Sequence, residues 1–72
     1  MEPRIGDVVI LTEGPKKGCK IKLASPVTKR DMAYGTRWDV PGWRWIESRQ
    51  QFSSNLYVFS SDAKPSVISG NS

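Results

Sequence analysis

Alternation of apolar and polar positions is clearest at Cys19-Lys20-Ile21-Lys22-Leu23-Ala24. Cys19, Ile21 and Leu23 point one way and Lys20 and Lys22 the other, the period of a strand with one solvated, basic face. Ahead of it, Val8-Val9-Ile10-Leu11-Thr12 is β-branched and apolar at both parities, which predicts a strand buried on both sides. Between them, Glu13-Gly14-Pro15-Lys16-Lys17-Gly18 has the chemistry of a turn. Ser25-Pro26 ends the second strand, because proline brings no N–H to a ladder. Residues 27–33, with Lys29-Arg30-Asp31, read as an exposed loop.

The third and fourth predicted strands, residues 34–40 and 43–47, flank Pro41-Gly42. Pro presets φ for the first corner of a tight turn and Gly supplies positive φ for the second, so a β-hairpin is expected. All three tryptophans fall here, as Trp38, Trp43 and Trp45. Each buries a large area in a chain with few other bulky residues, which makes this hairpin the expected centre of the core. Residues 48–54 allow one helical turn, from which Phe52 would plug one end of the core. Leu56-Tyr57-Val58-Phe59 is a short final strand. The tail is rich in Ser, Gly, Asn, Pro and Asp, and residues 63–72 are expected to be disordered in isolation. The fold class is therefore all-β: a small five-stranded antiparallel barrel over residues 1–60, with one short helical turn and a flexible tail at 61–72.

With 72 residues there is room for one domain. Cys19 is the single cysteine, so no intramolecular disulfide staples the fold, which fits a reducing compartment such as the cytosol. Histidine is absent, which excludes histidine general-base catalysis. Cys19 alone supplies no zinc ligand set, and neither a metal nor a cofactor is expected. No apolar run reaches membrane-spanning length, and no apolar signal region follows Met1-Glu2-Pro3-Arg4. A soluble, cytoplasmic protein without membrane contact is expected. Eleven basic against seven acidic residues give a net charge of +4, which suits nucleic acid or an acidic protein surface.

Gly6-Asp7-Val8-Val9 followed by Glu13-Gly14-Pro15-Lys16-Lys17-Gly18 resembles the KOW motif of transcription elongation and ribosomal proteins. Arg37-Trp38-Asp39, then Trp45, Leu56 and Val58, is similar to the pattern of many small SH3-like barrels. The likeness spans residues 5–59 and departs from the motif at Cys19 and at Lys20-Ile21-Lys22. It implies an SH3-like barrel that contacts RNA or protein components of the transcription or translation machinery.

Lys16, Lys17, Lys20 and Lys22 form the main basic cluster, either a phosphate-binding face or a solvated strand that keeps the domain soluble. Arg37 and Arg44 extend it as expected cross-strand neighbours around the Pro-Gly turn, with Lys29, Arg30 and Arg49 further out. Like charges placed opposite each other need an acid, for which Asp39 is at hand. Most aromatics are expected in the core. Trp43, beside the turn, is the candidate for exposure and for anchoring a partner. No pair of carboxylates has a spacing suited to acid–base work, and Cys19 falls on the apolar face, so an enzyme is not expected. The primary reading is a non-enzymatic binding module. It docks through Lys16, Lys17, Lys20, Lys22, Arg37, Trp43 and Arg44 on an acidic protein such as RNA polymerase, the ribosome or a nuclease. It acts there as an accessory factor or as a phage- or plasmid-type inhibitor. The alternative is a barrel that binds RNA or DNA.

Overall fold

The computed structural model describes residues 3–69. Seven strands form one antiparallel sheet: β1 (Val8–Ile10), β2 (Lys20–Leu23), β3 (Thr28–Met32), β4 (Gly35–Ile46), β5 (Gln51–Phe52), β6 (Tyr57–Ser61) and β7 (Ser66–Ser69). A 3-10 turn at Glu47–Arg49 joins β4 to β5. The sheet runs β3-β4-β2-β1-β7, with β5 and β6 also paired to β4. The expected all-β class holds, but a closed five-stranded barrel does not form: the sheet is open and has seven strands.

The sheet is nevertheless curled. Four lateral steps separate β6 from β7 through β4, β2 and β1. At about 4.8 Å each they would span roughly 19 Å if flat, whereas the five Cα steps from Ser61 to Ser66 reach at most about 18 Å. The crossing is pinned at Ser61, which is fully buried. Its hydroxyl donates to the Ala63 carbonyl at 2.6 Å and lies 3.4 Å from the Glu13 carbonyl in the β1–β2 loop.

The largest departure from expectation is at Pro41-Gly42. No turn forms there; both residues lie inside the twelve-residue β4. The reason is the arrangement of partners. On one edge of β4, β3 pairs with Gly35 to Asp39 and β2 takes over from Gly42 to Arg44. Pro41 sits in the gap between them, and its carbonyl on that edge accepts from the Ala24 N–H at 3.0 Å. Its missing N–H therefore faces a break in the ladder, where proline is tolerated. Gly42 is buried, and β2 passes so close that a Cβ there would strike the Lys22 carbonyl and lie 2.8 Å from Ile21 Cγ2. Glycine serves here for close approach rather than for positive φ.

Two further segments differ. Residues 28–32 form β3, paired residue for residue with β4, although the side chains of Thr28 to Asp31 are exposed. Its backbone bonds, rather than apolar burial, hold it. In the expected disordered tail, Ser66–Ser69 instead pairs with β1, with a bulge opposite Val8 and Val9. Residues 70–72 of that tail lie outside the described residues.

The core is aliphatic. Val9, Leu11, Ile21, Leu23 and Val40 are each at most 1% exposed, with Cys19, Val27 and Phe59 packed against them. Trp38, Trp43 and Trp45 are all half-buried, so the expectation that the tryptophans form the core's centre is not met. Their indoles lie on β4, whose inner side chains at Val40 and Gly42 are small enough to bring β2 and β6 together; a buried indole has no room there. Phe52 also lies outside the core, on β5 rather than on the helical turn. Among the described residues no helix is long and apolar enough to cross a membrane.

Candidate functional site

Residues paired directly across antiparallel strands share a face. Ile21 pairs with Val9 and Arg44, and Leu23 with Gly42, on the inner face that carries the core. The intervening side chains form the outer face. There Val8, Lys22 and Trp43 lie side by side across three strands, and Lys20 lies beside Ile10. Trp45 pairs with Phe52, their rings in edge-to-face contact at 5.0 Å and 70°. The Lys22 ammonium stands 5.9 Å from the Phe52 ring centroid. Two lysines thus alternate with three half-buried aromatic rings on one sheet surface.

Lys20 and Trp45 also face an open recess of about 280 Å³ at the end of this surface, with Gly18, Cys19, Arg44 and Glu47. The Trp45 indole N–H donates to the Glu47 carboxylate at 2.7 Å. That bond, with a contribution from Gln50 and the charge of Lys20, holds the Glu47 carboxyl below its usual 4.5. Glu47 is thus an anionic anchor that fixes the Trp45 ring at the rim of the face.

The structure divides the residues that the sequence nominated. Lys20, Lys22 and Trp43 come together on the outer face. Lys17 lies exposed in the β1–β2 loop. Arg44 has the opposite parity to Trp43 and lines an inner-face cleft together with Lys16. Arg37 belongs to neither group: it is on the same strand as Arg44, not across a hairpin from it, and it pairs with Asp62 at 3.3 Å. The like-charge opposition instead joins Arg30 to Arg37, directly paired between β3 and β4. It is relieved by Asp62 and by Asp39, which meets Arg30 at 2.9 Å. Lys16, Lys17, Lys20, Lys22 and Arg44 form no ion pair among the described residues.

Trp45, whose facing the sequence leaves ambiguous, and Phe52, expected to plug the core, are the further members of the outer face. A signal for Trp45 existed: it shares the parity of Trp43, while Val40 and Gly42 hold the other. Phe52 carried none, since its place depends on the β4–β5 reversal, where Gln50 takes the left-handed conformation at φ 52.

Trp38 is set apart from this surface. It lies on the inner side, beside the buried Ser61, with the ammoniums of Lys29 and Lys64 at 5.9 and 6.0 Å from its ring. Among the described residues, no three His, Cys, Asp or Glu side chains gather as a metal-ligand group. Comparison of the chain with protein-family models, with curated proteins and with solved structures finds no match.

Proposed function

We propose that the protein is a non-enzymatic module that binds single-stranded nucleic acid across the outer face of β2, β4 and β5. The observation that carries this reading is the interleaving of Lys20 and Lys22 with Trp43, Trp45 and Phe52 on one sheet surface. Bases stack on exposed rings whatever their sequence, and ammonium groups between the rings meet the phosphates. Lys20 and Lys22 form no ion pair at contact distance among the described residues, and apart from the attraction of Lys20 to Glu47 their charge is available to a polyanion.

The test is a titration of oligo(dT) and oligo(U) followed by tryptophan fluorescence over a range of salt. Stacking quenches the indoles. Neutralisation of phosphates by Lys20 and Lys22 gives a log–log salt slope of about −1.4, at roughly −0.7 per contact on a single strand. Absence of quenching at low salt would sink the reading.

A protein partner with an acidic surface, in the transcription or translation machinery or as the target of an inhibitor, is the second reading. It is favoured by consecutive exposed apolar residues at the start of β6: Leu56, Tyr57 and Val58 are 57%, 55% and 64% exposed. Among the described residues β6 pairs only with β4, and such a strand edge is a template for an added strand. Capture of one defined protein that survives nuclease treatment, without quenching by either oligonucleotide, would favour this reading.

A further inference from the structure

We infer that the cleft on the inner face is a binding site for a single nucleotide, distinct from the outer surface. The cleft measures about 360 Å³, near the small end of the roughly 300–1,000 Å³ range of ligand sites. Its walls carry two cations, Lys16 and Arg44, two rings, Tyr57 and Phe59, and the polar groups of Ser53 and Asn55. Among the described residues no carboxylate lines it.

Tyr57 and Phe59 are carried on β6, Arg44 on β4, and Lys16 on the β1–β2 loop. Phe59 pairs with Val40 and packs on the core, so its ring is anchored. Tyr57 stands against it edge-to-face at 6.1 Å and 65° and is 55% exposed, so a flat ligand can reach its ring. Arg44 stands between this cleft and the recess beside Lys20, Trp45 and Glu47, and its carbonyl accepts the Ser53 N–H at 2.8 Å. The Ser53 hydroxyl accepts from the Asn55 N–H at 3.1 Å, so its own proton can be donated to a base or ribose. Two cations beside two aromatic rings and an amide fit a ligand that joins a phosphate to a planar, hydrogen-bonding ring. Inorganic phosphate would leave the rings unused, and an apolar ligand would leave the cations unpaired. The volume admits one such unit rather than a longer strand.

The test is calorimetry with the full chain and adenosine 5′-monophosphate, uridine 5′-monophosphate, adenosine and inorganic phosphate. The expected result is one nucleotide per chain, with adenosine and phosphate each weaker by about tenfold or more. Tyr57→Ala and Lys16→Glu should each weaken the nucleotide by about tenfold. Both residues are exposed, and Lys16 is in a loop, so it reports even if Tyr57→Ala disturbs β6. Trp43→Ala should leave nucleotide binding unchanged while reducing oligonucleotide binding, which separates the two surfaces. The inference is overturned if neither nucleotide saturates at millimolar concentration, if Lys16→Glu has no effect, or if Trp43→Ala abolishes nucleotide binding.

Discussion

The two faces of β2 and β4 are built from neighbouring residues with opposite duties. Ile21 and Leu23 are sealed in the core while Lys22 between them is exposed. Gly42 is buried against β2 while Trp43, the next residue, stands on the outer face beside Lys22. The inner face closes with five aliphatic side chains, and the larger indoles of Trp43 and Trp45 are left half-exposed among lysines. In a chain this short, bulky rings are the obvious material for a core. The fold closes without them, so the side chains that seal its core and the ring-and-lysine surface proposed to bind nucleic acid lie on opposite faces of the same strands, one residue apart.

Substitutions at neighbouring residues should separate the two faces. The largest effect is expected from Ile21→Ala or Leu23→Ala. Each removes a fully buried aliphatic and should cost about 2–5 kcal/mol in chemical denaturation, a large share of a small domain's stability. Lys22→Ala, between them, should stay within about 0.5 kcal/mol. An equal cost at Lys22 would mean that the faces do not divide the work. Gly42→Ala comes next, at about 1–3 kcal/mol, because its methyl group meets the β2 backbone at Lys22 as well as the buried Ile21 side chain.

Trp43→Ala probes the outer face. It should weaken oligonucleotide binding by about 1–3 kcal/mol, one base stack, and lower stability by less than Ile21→Ala does. Replacing Lys20 and Lys22 together by Gln should remove most of the salt dependence, a change of about 1.4 in slope, with stability little altered. The smallest effect concerns Glu47. Its folded carboxyl titrates below the usual 4.5, so whatever it contributes is present above that value and is lost as pH falls through the lowered one. The Trp45 indole N–H resonance should therefore shift in that acid range, and Glu47→Gln should abolish the shift.

What the sequence disclosed follows a physical divide. β2 was legible because its alternation is local, and with it the facing of Ile21, Leu23, Lys20 and Lys22. Local chemistry misread Pro41-Gly42, because a turn dipeptide in isolation is a strand segment here only by virtue of its partners. Proline sits at a gap between β3 and β2, and glycine sits where β2 presses in; neither fact exists before the sheet does. β3 and β7 escaped for a related reason. Thr28–Met32 and Ser66–Ser69 bury little, and backbone pairing with β4 and β1 holds them in place. The outer site was half visible: Lys20, Lys22 and Trp43 could be nominated, but Phe52 joins them only through the β4–β5 reversal. Arg37 was misplaced because the expected hairpin put it opposite Arg44, whereas the continuous strand sends it to Asp62.

The most direct measurement is of the three indole N–H resonances during titration with oligo(dT) or oligo(U). Trp43 and Trp45 lie on the outer face, and Trp38 lies on the other, between Lys29 and Lys64. The account predicts that the Trp43 and Trp45 signals move and saturate together while that of Trp38 stays in place. Movement of Trp38 alone, or of none of the three at low salt, would contradict it.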